Sequence, residues 1–145
     1  MRKIEERPTL QSVHLGATSL PLALPIVLKR FSYDKEAQRP TKQTTRIIPS
    51  ETIDFPLAGE ESKKARYELK SIVIHDGSTP RGGHYYTYVP CPSLEEQQKS
   101  YIEFDDSSVR RHEDAEKSKK GIFKTVHEDV CKNGYIFFYQ FKQFV

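Results

Sequence analysis

The chain has 145 residues and a formal net charge of +3, and 36% of its residues are hydrophobic and 30% charged. This composition allows one domain with a buried core, whereas the scattered charges give little support to a nucleic-acid partner, and no apolar run of about 18 residues predicts a membrane span. No apolar signal-peptide region follows the first charged residues, and the cysteines, Cys91 and Cys131, make no disulfide framework, so the predicted location is cytoplasmic or nuclear.

The first half of the chain predicts extended segments joined by polar connections. Residues 1–19 have no clear period and are expected to be irregular. Leu20–Phe31 is apolar and predicts a buried strand, in which Pro25 indicates a sheet edge or a bulge because proline lacks an amide hydrogen. The remaining segments are a polar connection over 32–43, extended pieces broken by prolines over 45–57, and a charged loop over 58–66.

The second half predicts stronger strands. Tyr67–His75 has a continuous apolar centre that indicates a strand buried on both faces, and the aromatic His84–Val89 predicts another. Further predicted elements are loops over 76–83 and 90–100, short strands over 101–106 and 134–141, and a helical turn or two within 109–130. Most connections are too short for crossovers, so the predicted fold class is α+β, a predominantly antiparallel β-sheet with few short helices.

A histidine and an aspartate are predicted to meet at one end of a hairpin. A register that puts Val89 opposite Ser100 also puts His84 opposite Asp105. A carboxylate on a histidine nitrogen fixes the tautomer and stabilises the imidazolium, which is the base-orienting half of a nucleophilic triad. On spacing alone, an ordinary surface or core His–Asp pair is the more frequent outcome, so both interpretations stay open.

Two glycines, Gly82 and Gly83, directly precede this histidine. Glycine adopts backbone angles that other residues avoid, and it lets another chain approach closely. The pair therefore favours either an unusual backbone conformation or a narrow passage beside His84, although a Gly-Gly pair is most often only a turn.

Five segments, taken together, resemble the ubiquitin-specific proteases, a family of papain-like deubiquitinating enzymes. In the family's order and rough spacing they are LPLALPIVLKRFSYD, YELKSIVIHDG, GGHYYTYV, FDDSSV and GYIFFYQF, and they cover residues 20–141. The resemblance implies that residues 1–145 form a single partial domain, the C-terminal portion of a deubiquitinase catalytic domain. It also implies that the sheet is the palm-like part of a papain-like cysteine protease fold.

The resemblance also implies roles for individual residues. His84 would be the catalytic general base and Asp105 would orient it, while Asp106 would help to position the oxyanion or the water. The residues implied to contact or frame the ubiquitin tail are His75, Gly82, Gly83 and Tyr85. In the family's mechanism a cysteine thiolate attacks the carbonyl of ubiquitin's last glycine, and neither a metal nor another cofactor is expected.

The chain departs from the family pattern at the nucleophile. The family's Asn-Thr-Cys box and the paired cysteines of its zinc finger are absent, and both Cys91 and Cys131 are interpreted as structural. The expected function is deubiquitination with this chain supplying the histidine and aspartate, and the expected partners are ubiquitin, ubiquitinated proteins and a missing Cys-bearing half. The alternatives are a catalytically inactive ubiquitin-binding or scaffolding module, and a decayed remnant or unrelated β domain.

Overall fold

A computed structural model describes residues 15–16, 19–91, 100–113 and 126–145, and structural statements refer to these residues. Nearly all of the regular structure in this part of the chain is β-strand. The elements are β1 (Leu15–Gly16), β2 (Ala23–Val27), β3 (Phe31–Asp34), β4 (Arg39–Lys42), β5 (Thr52–Ala58), β6 (Glu60–Thr79), β7 (Gly82–Cys91), β8 (Ser100–Asp105), β9 (Ser108–Glu113), α1 (Val126–Asn133) and β10 (Gly134–Phe144).

The long strand β6 organises the main sheet because three other strands pair with it. The sheet order is β1-β5-β6-β7-β8-β9, with β10 also on β6 and β2 on the far side of β10, while β3 and β4 form a separate hairpin. Every pairing is antiparallel except the two-residue contact between β1 and β5. The predicted fold class is therefore confirmed, with one short parallel pairing added.

One face of β6 forms the core, and α1 lies against it. Tyr67, Leu69, Ile72 and Ile74 are all buried on this face, whereas Val73 on the opposite face is only half-buried. The prediction that this strand is buried on both faces was therefore only partly right. Within the described ranges, no helix is both long and apolar enough to cross a membrane.

Two segments predicted as connections are strands. Residues 58–66 lie in the β5–β6 hairpin, and residues 32–43 contain most of the β3–β4 hairpin. Their charged side chains suggested loops, but a strand with one solvated face carries charges there, and these can pair across strands. Asp54 and Arg66, for example, are register partners and form a bidentate ion pair in which both N···O distances are 2.8 Å.

The prolines lie where the sequence predicted a disturbed ladder. Pro25 lies in β2, an edge strand that among the described residues pairs only with β10, which confirms the edge assignment. The prediction of one buried strand over Leu20–Phe31 was wrong, because β2 covers only Ala23–Val27 and its residues alternate between exposed and half-buried, as expected for an edge strand with one solvated face. Pro56 lies within β5, next to a register shift in its pairing with β6. The predicted irregularity of residues 1–19 applies only in part, since Leu15–Gly16 forms β1 and residues 1–14 and 17–18 lie outside the described residues.

A buried arginine joins the helix to the sheet. Arg30 is 3% exposed, and its guanidinium donates to four backbone carbonyls. The acceptors are Gly134 O at 2.7 Å, Gln43 O and Thr45 O at 3.0 Å, and Cys131 O at 3.1 Å. Two of these carbonyls belong to the end of α1 and the start of β10, where helix carbonyls lack intrahelical partners and favour a cation.

We expect Arg30→Ala to lower the free energy of unfolding by on the order of 3 kcal/mol or more, because it leaves buried carbonyls without a donor. The matched control is Arg46→Ala, since Arg46 makes only an exposed 4.0 Å contact with Glu128. That change should cost less than about 1 kcal/mol. Urea denaturation of both variants measures the difference, and equal losses would contradict the structural role of Arg30.

Candidate active site

The glycine pair lies at the closed end of the β6–β7 hairpin. The segment 76–83 was predicted as a loop, but β6 extends to Thr79 and β7 begins at Gly82, so the connection is only the two residues Pro80 and Arg81. A register shift between Asp76 and Thr79 marks a bulge in β6 just before this turn. The histidine that follows the glycines is therefore carried by a paired strand, which holds it more firmly than a loop would.

Gly83 is required by the hairpin's own backbone. Its φ is +133°, and an added Cβ would lie 2.5 Å from the carbonyl oxygen of Asp76. Gly77 faces it across the hairpin, where an added Cβ would lie 2.8 Å from the Gly83 Cα. At Gly82, by contrast, the nearest atom is Thr79 Oγ1 at 3.6 Å. The unusual φ expected of the Gly82-Gly83 pair is present at Gly83, and the segment of chain that comes closest to Gly83 is strand β6.

His84 and Asp105 meet, although not in the register predicted. Val89 pairs with Ile102 and not with Ser100, so the strands are shifted by two residues. A shift of two preserves which face each side chain occupies, and diagonal neighbours across strands remain within reach of long side chains. His84 Nε2 consequently hydrogen-bonds Asp105 Oδ1.

The carboxylate of Asp105 is held on both sides. Its second oxygen, Oδ2, accepts from Arg110 Nη2 at 3.1 Å, an arginine on the adjacent strand β9. The hydrogen bond that His84 makes to the Asp105 carboxylate raises the pKa of His84, and the charges of Asp105, Asp106 and Asp76 raise it further. Because Nε2 is engaged with Asp105, proton exchange with a reacting group falls to Nδ1. The His84 side chain is 49% exposed, so a reacting group can approach it.

Asp106 completes a compact cluster with this pair. It lies in the turn between β8 and β9 with φ +50°, a left-handed conformation that aspartate tolerates better than most residues. One potential ligand atom from each of His84, Asp105 and Asp106 lies within 4.8 Å of the others. Since Nε2 of His84 and both oxygens of Asp105 already have partners, the arrangement favours a hydrogen-bonded base over a metal site.

His75 and Tyr85 lie on the other face of the sheet from His84. They are register partners, and side chains alternate along β7, so Tyr85 points away from the His84 face. His75 is 1% exposed beneath Tyr85, with ring centroids 4.6 Å apart, and Phe31 contacts it edge-on at 5.1 Å. Burial, followed by the charge of Lys42, lowers the pKa of His75. Only Tyr85 of this pair is accessible, at 49% exposure.

Neither cysteine lies where it could attack a substrate held at His84. Cys91 ends the same strand, seven residues further on, which corresponds to roughly 23 Å at about 3.3 Å per residue and to the opposite side-chain parity. Cys131 is fully buried in α1, with its Sγ 3.7 Å from His127 Nε2. Both positions agree with the structural roles predicted for the cysteines.

Arg110 is the site residue that the sequence analysis missed. It lies in the charged segment 109–130, which was predicted to contain a helical turn or two, whereas Ser108–Glu113 is strand β9. The short Asp-Asp-Ser-Ser stretch between two strand-like segments could have indicated a tight hairpin, in which residue 110 returns beside Asp105.

Comparisons with known proteins identify the family of the chain. A family model described as ubiquitin carboxyl-terminal hydrolase matches residues 1–139. Ubiquitin carboxyl-terminal hydrolase 12 of Salmo salar is 34% identical over 143 residues, and the match covers 94% of this chain and 36% of that protein. The chain therefore spans about a third of the length of this curated relative.

Solved structures share the fold. A chain in a SAGA Ubp8/Sgf11/Sus1/Sgf73 DUB module is 24% identical with a TM-score of 0.57, covering 86% of this chain and 24% of that one. A yeast SAGA DUBm structure is 25% identical with a TM-score of 0.56 and the same coverage. The strand-rich fold with one short helix is thus the one found in part of these larger chains.

We expect Gly83→Ala to destabilise the chain by on the order of 2 kcal/mol or more, because the methyl group would collide with backbone at a positive φ. Gly82→Ala is the matched control and should change the free energy of unfolding by less than about 0.5 kcal/mol. Thermal or urea unfolding of the two variants measures this. If both glycines tolerated alanine equally, the close approach at Gly83 would not be real.

We expect Asp105→Asn to lower the pKa of His84, because it removes the carboxylate that favours the imidazolium. Because the pKa of His84 is raised in the folded chain, this hydrogen bond contributes its full stabilisation of the fold at any pH below the ordinary histidine pKa. Its contribution is then lost as the pH rises through the raised value. An NMR titration of the His84 Cε1 proton measures the shift, and Asp106→Asn should move it less. An unchanged pKa in Asp105→Asn would contradict the hydrogen bond.

Proposed function

Since this chain belongs to the ubiquitin carboxyl-terminal hydrolase family, we propose that it supplies the general base and its orienting carboxylate for deubiquitination. The reaction is thiol-dependent hydrolysis of the peptide or isopeptide bond after the last glycine of ubiquitin. The observation that carries this proposal is the hydrogen bond between His84 Nε2 and Asp105 Oδ1, with Arg110 on the other carboxylate oxygen. That bond orients the imidazole and leaves Nδ1 for proton transfer.

His84 moves protons in both halves of the reaction. A cysteine thiolate attacks the carbonyl carbon of the last ubiquitin glycine while the imidazolium of His84 is stabilised by Asp105. His84 then donates its proton from Nδ1 to the leaving lysine amine, which breaks the C–N bond and leaves a thioester. In the second half His84 removes a proton from water, and the resulting attack releases ubiquitin and the thiolate. Asp106 helps to position that water or the oxyanion.

The residues proposed to meet the ubiquitin tail lie around the hairpin end. Tyr85 offers an exposed ring, which His75 supports from below with a centroid distance of 4.6 Å. His75 acts through Tyr85, because its own side chain is 1% exposed. Gly82, where an added Cβ would lie 3.6 Å from Thr79 Oγ1, and Gly83 are proposed to form the narrow border along which a glycine-ended tail passes.

The nucleophilic cysteine is proposed to come from outside residues 1–145, whose two cysteines are Cys91 and Cys131. Cys91 and Cys131 cannot reach a carbonyl held at His84, for the reasons of distance, parity and burial given above. The proposed partners are therefore ubiquitin, ubiquitinated proteins and a Cys-bearing catalytic half, with residues 1–145 forming the C-terminal portion of the complete domain. We propose that this complex acts in the cytoplasm or the nucleus.

A ubiquitin-binding or scaffolding module without catalysis is the second candidate, and the position of the two cysteines favours it. A titration of fluorescent ubiquitin into the 145-residue chain separates the candidates when it is combined with the turnover assay below. Saturable binding together with no turnover in the complete domain would support the non-catalytic module. Turnover that depends on His84 would exclude it.

We expect His84→Ala to abolish hydrolysis of a fluorogenic ubiquitin substrate while leaving the fold intact. The test protein joins this chain to the part of the salmon relative with which it does not align, so that a cysteine nucleophile is supplied. Loss of the general base should lower kcat by about 100-fold or more, since general base catalysis contributes roughly 10²–10⁴. Circular dichroism of the same variant verifies that the fold persists.

Asp105→Ala should reduce turnover less than His84→Ala, because the carboxylate orients the base and does not itself carry the proton. His112→Ala is the matched control, since His112 also contacts a carboxylate, that of Glu103, but lies away from His84 on strand β9. Unchanged turnover in His84→Ala would overturn the assignment of the base. Unchanged turnover in both His84→Ala and Asp105→Ala would overturn the proposed function as a whole.

A further inference from the structure

We propose that Asp129, on the helix α1, is a positioning residue for His84. Its carboxylate holds the hydroxyl of Tyr86, and Tyr86 in turn holds its aromatic ring along the face of the His84 imidazole. The inference rests on the proposed role of His84 as the general base. It gives α1 a role in orienting the imidazole, in addition to the roles proposed for the carboxylates of Asp105 and Asp106.

Asp129 is fully engaged by donors from two elements. Its Oδ2 accepts from the Tyr86 hydroxyl at 2.6 Å and from the Tyr88 hydroxyl at 3.2 Å, both on strand β7. Its Oδ1 accepts from Asn133 Nδ2 at 2.8 Å, one helical turn further along α1. A carboxylate that accepts several partly buried hydrogen bonds fixes the groups that donate them. The position of the Tyr86 ring therefore depends on where α1 places Asp129.

Tyr86 carries that constraint to the imidazole. It lies two residues after His84, so both side chains project from the same face of β7. The two ring centroids are 5.9 Å apart, and the ring planes are inclined by only 29°. Asp105 binds one edge of the imidazole, and the Tyr86 ring lies along the face of the same imidazole. Together they restrict the rotation of the imidazole in its own plane and its tilt out of that plane.

The ring also favours the protonated base. An aromatic face within about 6 Å of a cation attracts it, including at exposed sites. Burial, followed by the hydrogen bond to Asp129, raises the pKa of the Tyr86 phenol, which therefore remains a hydrogen-bond donor at physiological pH. Because the Tyr86 hydroxyl donates to the Asp129 carboxylate, the phenol oxygen and its ring keep more electron density, and this ring faces His84.

The helix is itself tied to the other strand of the hairpin. Asn133, which donates to Asp129, accepts from Lys42 Nζ at 3.0 Å, and Lys42 also donates to the backbone carbonyl of His75 on β6. The hairpin that carries His84 is thus bound to α1 from β7 through Tyr86 and from β6 through Lys42. Displacement of α1 would disturb the base even though α1 contributes no atom to the reaction.

Tyr88 provides a matched control within the same network. Its hydroxyl donates to the same oxygen of Asp129, and it is 2% exposed, so removing that hydroxyl disturbs the same carboxylate. Its ring, however, contacts Tyr86 edge-on, with centroids 5.6 Å apart and planes inclined by 88°. A purely structural effect of losing one hydrogen bond to Asp129 should therefore be similar in Tyr86→Phe and Tyr88→Phe, whereas an effect on His84 should be confined to Tyr86→Phe.

The experiment is an NMR pH titration of the His84 Cε1 proton in the 145-residue chain, with parallel urea unfolding of each variant. Tyr86→Leu, which removes the ring, should lower the pKa of His84 by roughly 0.4–0.7 units, the loss that an exposed cation–π contact allows. Tyr86→Phe and Asp129→Asn should lower it by part of that amount and move the resonance, while Tyr88→Phe should leave it within about 0.1 units. The charged groups facing His84, namely Asp105, Asp106 and Asp76, are unchanged in all four variants.

Equal shifts in Tyr86→Phe and Tyr88→Phe, or no shift in either, would overturn the proposal. A shift in Tyr86→Leu alone would also overturn it, since the ring would then act without the hold of Asp129. If Asp129→Asn does not fold, Tyr86→Phe decides the outcome. Because the titration does not measure turnover, it tests the role of Asp129 independently of the proposed function. The role of Asp129 can be disproved while His84→Ala still abolishes hydrolysis, and it can be supported even if the chain takes no part in deubiquitination.

Discussion

The packing of α1 against the sheet depends on the hydrogen bonds that the Arg30 guanidinium donates. In the described part of the chain, the acceptors of this guanidinium are four backbone carbonyls from the end of α1, the start of β10 and the segment after β4. Carbonyls at a helix end carry partial negative charge, so they stabilise a buried cation while the cation satisfies them. Arg30 therefore holds the end of α1 against β10, and α1 in turn bears Asp129, which contacts Tyr86 on the strand that carries His84.

The hairpin of β6 and β7 divides the site between two faces of one sheet. The imidazole of His84 shares its face with Tyr86, Tyr88 and the helix, while Tyr85 covers the buried His75 on the opposite face. The proposed proton-transfer group, His84, and the aromatic ring proposed to meet the ubiquitin tail, Tyr85, are therefore separated by the thickness of the sheet. The two faces meet only at the hairpin end, where Gly83 lets the two strands approach closely.

Local sequence patterns predicted the strands next to the core well, but they predicted the charged strands and the burial of the apolar edge strand β2 poorly. Tyr67–His75 and His84–Val89 were predicted correctly because their apolar runs are needed for the core, as was the edge position of Pro25. Residues 58–66 were predicted wrongly, since a strand whose outer face meets water can carry as many charges as a loop. The hairpin register was wrong by two residues, yet the His84–Asp105 contact survived because an even shift keeps the face.

The sequence by itself determined the antiparallel strand-rich class, the family resemblance and the residue types of the candidate base and its carboxylate, because these follow from composition, periodicity and short motifs. Only the tertiary structure decided which partners those residues have. Arg110 reaches Asp105 through the turn at Asp106, and Asp129 reaches Tyr86 across 43 residues of chain. Such contacts depend on how a helix packs on a sheet, and no local pattern encodes a distance between elements so far apart in sequence.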